Sequence, residues 1–70
     1  MTSLTTRERE VLGLLGTGLP NRLIARRLDI SERTVKAHLH NIQDKLGVES
    51  RLQAALAAVL HHGNICPHRN

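Results

Sequence analysis

Residues 21–40 read NRLIARRLDISERTVKAHLH, two apolar patterns at helical spacing with almost nothing between them. In the first, Ile24, Ala25 and Leu28 share one helix face while Arg22, Arg26 and Arg27 point largely away. Pro20 suits the start of this helix, because its φ is already helical and it has no N–H to leave unbonded. Asp29 and Ile30 leave room only for a tight connection. Ser31 then caps a longer helix with Glu32 in its first turn, where a negative charge suits the helix dipole. Continued to Gly47 as SERTVKAHLHNIQDKLG, this helix places Val35, Leu39, Ile42 and Leu46 on one stripe and Arg33, Lys36, Ala37 and His40 on the other side.

A short helix, a tight turn and a longer helix make a helix-turn-helix arrangement, whose first helix lies across a phosphate backbone and whose second enters the major groove. Ala25 fits the close crossing of the two, since a large side chain there would push them apart. Asp29 stands where glycine is often found, and aspartate tolerates the left-handed region better than most residues.

Two more helices flank the pair. Thr5-Thr6-Arg7-Glu8 is a capping box ahead of Val11, Leu12 and Leu15, and the GTG of 16–18 stops that helix. Ser50-Arg51-Leu52-Gln53 is a second capping box. In the helix that follows, Leu52, Leu56 and Val59 are expected to face inward. Ala54, Ala57, Ala58 and His61 then form an outward seam of small residues that lets another backbone approach closely. The expected fold is all-α, a four-helix helix-turn-helix domain over residues 1–62, with 63–70 as a flexible tail in which Gly and Pro occur without period.

Seventy residues make one small domain with a thin core, burying only about 60% of the unfolded chain's surface. With no Phe, Trp or Tyr, that core is built from Leu, Ile, Val and Ala, which favours helix packing over strands. Ten Lys and Arg against six Asp and Glu give a formal charge of +4, and an anionic partner is expected. The single Cys66 excludes an intrachain disulfide, as befits a reducing compartment. The amino terminus has no apolar signal region, and the longest apolar run, Ala54 to Leu60, falls far short of the ~20 residues of a membrane span. A cytoplasmic protein without membrane attachment is expected.

An outward polar helix face is ordinarily a solvated surface. The face of the longer helix is basic and nearly free of acid over its first two turns. It sits behind a short Arg-bearing helix and carries the small Ala37 where a bulkier group would block approach to base edges. Asp44, the only acid near that face, lies beyond the groove. Nucleic-acid binding is the expectation. A protein-interaction module docking on RNA polymerase or a sigma factor is the alternative, and the basic run of Arg22, Arg26, Arg27, Arg33 and Lys36 favours DNA.

The segments LTTREREVLGLL, GLPNRLIARRLDISERTVKAHLHNI and KLGVESRLQAA resemble the LuxR-type helix-turn-helix domain. The form GLPNRLIARRLDIS is especially similar to the nitrate-response-regulator branch. The likeness covers residue 4 to about 60 and includes Thr5, Arg7 and Glu8, Ile24-Ala25, Thr34-Val35-Lys36, Lys45-Leu46 and Ser50-Arg51 in order. It implies the DNA-binding effector domain of a bacterial transcription regulator, with the third helix reading double-stranded DNA and the fourth supplying a twofold homodimer contact, weak without DNA. The family's base-facing positions carry over to Lys36, Ala37 and His40, and Asn21, Arg22, Arg33 and Thr34 become candidates for phosphate contacts. The dimer contact falls on the seam of Ala54, Ala57, Ala58 and His61. Leu23 stands where much of the family has Glu, and Gln43 replaces a commonly bulky apolar residue. Glu8 and Arg51 are read as a structural ion pair or cap. Most relatives carry an amino-terminal regulatory domain; an excised effector domain and a single-domain regulator both fit this chain.

His61, His62, Cys66 and His68 lie within eight residues, but at a spacing unlike common structural zinc sites, and no metal or cofactor is expected. His38, at the edge of the buried stripe, is expected to be a packed, hydrogen-bonded ring rather than a ligand or base. With no carboxylate pair, no nucleophile beside a base and no phosphate loop, an enzyme is not expected.

Overall fold

The structure is a computed structural model and describes residues 4–60. Four helices follow in order: α1 (Thr6–Gly16), α2 (Asn21–Leu28), α3 (Glu32–Leu46) and α4 (Arg51–Leu60). The all-α helix-turn-helix architecture expected from the sequence is present. The tail of residues 63–70, which contains Cys66 and His68, lies outside the described residues, as does His62.

Helix starts follow the capping chemistry of the sequence. Thr5 Oγ1 accepts from the Glu8 N–H (3.1 Å) while the Thr5 N–H donates to Glu8 Oε1 (2.9 Å), closing the first box. Ser31 Oγ accepts from the Thr34 N–H at 3.0 Å. At α4 the box is shifted by one residue. Ser50 Oγ accepts from the Gln53 N–H (3.1 Å), but Gln53 Oε1 accepts from the Glu49 N–H (2.8 Å), one residue before the cap.

The ends of α1, α2 and α3 share one device, a left-handed residue followed by a reach-back bond spanning five residues. Ile30 N–H donates to Ala25 O (2.9 Å) across Asp29, which has φ 59° and ψ 47°. Val48 N–H donates to Gln43 O (3.0 Å) across Gly47, and Leu19 N–H to Leu14 O (3.4 Å) across Gly18. The glycine that turns the chain after α1 is therefore Gly18 (φ 92°), whereas Gly16 still belongs to the helix.

The core joins Leu4, Val11, Leu12 and Leu15 to Ile24 and Ala25 of α2, Val35, Leu39 and Ile42 of α3, and Ala54 and Ala58 of α4. α1 packs against the other three helices, α2 on α3 and α3 on α4. Each fully buried aliphatic side chain contributes about 1.5–3 kcal/mol relative to exposure.

α4 is turned the opposite way from the expected orientation. Ala54 and Ala58 are buried (0% and 3% exposed), so they form no outward seam, and Ala57 is half-buried. Leu52, Leu56 and Val59, expected inward, are exposed at 77%, 55% and 58%, with Leu60 at 68%. His61 falls outside the described residues. The cause is steric. α4 crosses the end of α1 at Gly16, where an added Cβ would lie 2.8 Å from Ala58 Cβ. Only small side chains on both helices permit that approach, and it brings the alanines in and turns the leucines out.

Candidate nucleic-acid interface

The outward face of α3 is built by the buried one. With Val35, Leu39 and Ile42 held in the core, residues 33, 36, 37 and 40 recur three and four positions apart on the opposite side. Arg33, Lys36, Ala37 and His40 are all exposed there. His38 is half-buried at the edge of the stripe, but its ring has no hydrogen-bond partner among the described residues, so only the packing expected of it is present. Thr34 is half-buried, and its hydroxyl shares a 2.9 Å hydrogen bond with Ser31 Oγ, so its side chain already serves the start of α3.

α2 presents Arg22, Arg26 and Arg27 to solvent. Among the described residues, the side chains of Arg22, Arg26, Arg27, Arg33 and Lys36 have neither an ion-pair nor a hydrogen-bond partner, which leaves five cations on one helix pair unneutralised. Of the other cations among the described residues, Arg9 keeps a buried Nε without a hydrogen-bond partner, while three are engaged. Arg7 pairs with Glu10 at 3.2 Å, and Lys45 Nζ lies 2.8 Å from Glu8 Oε1.

Glu8, read as an ion-pair or cap residue, is both: it closes the α1 capping box and pairs with Lys45 rather than with Arg51. Glu8 is only 4% exposed. The Lys45 ammonium and the Thr5 N–H, both bonded to its carboxylate, hold its pKa below the usual value of 4.5, against burial, which raises it. Arg51 works elsewhere. Its Nη1 donates to Asn21 Oδ1 and its Nη2 to the Leu19 carbonyl at 3.1 Å, so it links the start of α4 to the start of α2. Gly18, Pro20, Asn21, Arg22, Glu32 and Arg51 line a surface groove of about 720 Å³ there.

α2 also differs from its neighbours at its start, because Pro20 offers no side-chain cap. Its first turn thus has no side-chain acceptor at the cap. The Arg51 bridge and the exposed leucine stripe of α4 were not expected from the sequence. The signal for the stripe lay in Gly16 and the paired alanines at 54 and 58, small residues on two helices that meet.

Among the described residues no group of His, Cys, Asp and Glu is placed to hold a metal, and no helix is long and apolar enough to cross a membrane.

Comparison with known proteins places this geometry. Residues 2–58 match the model of bacterial regulatory proteins of the luxR family. The nitrate/nitrite response regulator NarL of Escherichia coli is 50% identical over 56 residues, covering 80% of this chain and 26% of that protein. DevR/DosR of Mycobacterium tuberculosis, a DNA-binding transcriptional activator, is 47% identical over 58 residues, 83% of this chain and 27% of its own. The chain thus spans about a quarter of the length of these relatives. The solved transcription factor GerE superposes with TM-score 0.72 at 44% identity, covering 81% of this chain and 85% of that one. A LuxR-type receptor of Vibrio cholerae, VqmA, solved as a dimer in the absence of its target DNA, superposes with TM-score 0.85 at 35% identity, covering 96% of this chain and 31% of its own. The chain belongs to the luxR family of bacterial regulatory proteins, as a helix-turn-helix DNA-binding domain similar to the nitrate-response-regulator branch.

Proposed function

We propose that the domain binds double-stranded DNA sequence-specifically, with α3 in the major groove. Lys36 donates to guanine O6 or N7, Ala37 meets a thymine methyl, and His40 bonds a third base edge. Asn21, Arg22, Arg33 and the Thr34 segment contact phosphates and set the register. The observation that carries this reading is the set of five unpaired cations on α2 and α3. Buried or paired positive charge would serve the fold, whereas unpaired charge on one helix pair is available to phosphates.

Two copies associate through α4, on Leu52, Leu56 and Val59. Four exposed aliphatic side chains with Leu60 make a contact well below the area of a standard interface, about 1,600 Å², so association is weak until adjacent half-sites hold both copies. Inverted half-sites follow from the twofold symmetry. A bacterial regulator acting on DNA in this way works in the cytoplasm.

The test is a salt titration of binding, first on random duplex and then on a site selected from a random pool. With about five phosphate contacts per copy, a dimer gives a log–log slope on the order of −9. Lys36→Ala weakens the selected site by about 1–3 kcal/mol and relaxes one base position, while Arg22→Ala weakens all sequences alike. A slope near zero on every duplex overturns the proposal.

A further inference from the structure

Arg51 is the first residue of α4, yet its guanidinium is spent on the start of α2 and the loop before it, on the Asn21 side chain and the Leu19 carbonyl. An amide side chain has one acceptor end and one donor end, and a guanidinium only donates. Beside Arg51, Asn21 must therefore turn Oδ1 toward the guanidinium, and its NH₂ group is directed away from it. That NH₂ sits on the first residue of α2, where the helix has no side-chain cap, next to the unpaired Arg22. The second bond, to Leu19 O, fixes the loop that leads into Pro20.

We propose that Arg51 is a positioning residue for DNA binding: it holds the Asn21 amide with its donors toward a phosphate and locks the loop ahead of α2. The inference rests on the assignment of Asn21 as a phosphate contact. It differs from a direct phosphate contact by Arg51 itself, because a cation that touches phosphate releases a counterion and one that orients a neutral amide does not.

Binding of the full chain to random duplex is measured by anisotropy at several salt concentrations, for wild type, Asn21→Ala, Arg51→Lys, Arg51→Ala and the double variant Asn21→Ala/Arg51→Ala. Thermal unfolding of each keeps the comparison to folded protein. The expected result is a loss of about tenfold for Asn21→Ala and for Arg51→Ala, with the double variant no weaker than either alone, since both remove one oriented donor. The salt slope is unchanged in all of them. Arg51→Lys keeps the charge but lacks the planar fork, so it loses affinity at unchanged slope; it also carries the test if Arg51→Ala does not fold.

Three results overturn the inference. If Asn21→Ala weakens binding and folded Arg51→Lys and Arg51→Ala do not, the positioning role is wrong while the Asn21 contact stands. If Arg51→Ala lowers the slope by about one and Arg51→Lys restores it, Arg51 is itself a phosphate contact. If Asn21→Ala binds like wild type while Arg22→Ala is weakened, Asn21 touches no phosphate and there is nothing to position, though DNA binding itself stands.

Discussion

The outward faces of α3 and α4 are both unusual, in opposite ways. α3, with α2 beside it, shows solvent five unpaired cations, of which Arg33 and Lys36 lie on α3 near Ala37, and α4 shows it four aliphatic side chains. Neither lowers the free energy of an isolated domain in water. A cationic row repels itself, and exposed leucines leave apolar area unburied that the small core would otherwise use. Under the proposed function the two faces are completed from outside, by phosphates on one side and by the apolar surface of a second copy on the other. They also differ in how their orientation is decided. In α3 the inward stripe is large and apolar and its opposite is polar, so hydrophobicity alone orients the helix. In α4 both faces are apolar, and shape orients it.

The largest test of that distinction exchanges the two faces of α4. Ala58→Glu places a carboxylate at a position 3% exposed against Gly16. Burying it costs several kcal/mol, comparable to the whole stability of a domain this size, on the order of 4–10 kcal/mol. The variant is expected to be unfolded by circular dichroism. Leu56→Glu, two residues earlier, is expected to melt within about 0.5 kcal/mol of wild type and to lose cooperative binding to paired half-sites while keeping its affinity for one. A folded Ala58→Glu variant, or a Leu56→Glu variant that binds paired sites cooperatively, breaks the distinction.

Gly16→Ala is a smaller version of the same experiment. Alanine favours the helix by up to about 1 kcal/mol, but its Cβ would meet Ala58 Cβ at 2.8 Å, and overpacking costs about 1–3 kcal/mol. A net loss of about 1 kcal/mol lowers the melting temperature by about 4–8 °C. Adding Ala58→Gly should restore much of it, and a double variant no better than Gly16→Ala would show that the backbones are not held apart at this point.

This contact also explains what the sequence conveys and what it hides. The spacing of Val35, Leu39 and Ile42 suffices to place Arg33, Lys36, Ala37 and His40 outside, because one helix carries both halves of the pattern. The orientation of α4 depends on Gly16, which lies in another helix more than forty residues away from Ala58. A periodicity read along one helix cannot contain that pairing, and large apolar residues are then assigned inward by default. The Arg51 bridge is hidden for the same reason, since its acceptors at 19 and 21 meet it only once α1 and α4 have packed. The second capping box is a subtler case. Residue types at 50 and 53 satisfy the pattern, but the Gln53 carbonyl oxygen takes the N–H of Glu49 instead of that of Ser50.

A third contrast separates paired from unpaired cations. Lys45 bonds the buried Glu8 carboxylate, whose pKa is lowered, first by that bond. A carboxyl with a lowered folded-state pKa adds stability that is fully present above the unfolded value, near 4.5, and is lost as pH falls through the folded value. Stability should therefore be flat around neutrality for this group and decline below about pH 4.5. Glu8→Gln should cost roughly 1 kcal/mol at pH 7, modest because the Lys45 side chain is 35% exposed and water screens the pair. The same variant should show a shallower acid decline than wild type in melts from pH 7 to pH 3. An equally steep decline would assign the acid sensitivity to other carboxylates. Substituting Arg26 or Arg27, which have no partner among the described residues, should leave both pH 7 stability and the acid decline unchanged.

The smallest expected effect lies in the turn that joins α2 and α3. Asp29 holds φ 59° and ψ 47° at the end of α2, the left-handed position that Gly18 and Gly47 fill after α1 and α3. An L-residue there carries a steric cost that glycine avoids, reduced for aspartate but not removed. Its carboxylate also sits at a helix C-terminus, the negative end of the dipole. Against both stands the greater freedom that glycine gives the unfolded chain. The balance favours Asp29→Gly by roughly 0.5 kcal/mol, a rise of about 2–4 °C in melting temperature. Asp29→Ala, which keeps the Cβ and loses the local tolerance of an aspartate, should fall by about as much or more. The reach-back bond from Ile30 to Ala25 is common to all three forms, so the comparison isolates the conformation of residue 29. A lower melting temperature for the glycine variant would mean that the entropy glycine adds to the unfolded chain, with any support from the carboxylate, outweighs the relief of the left-handed strain.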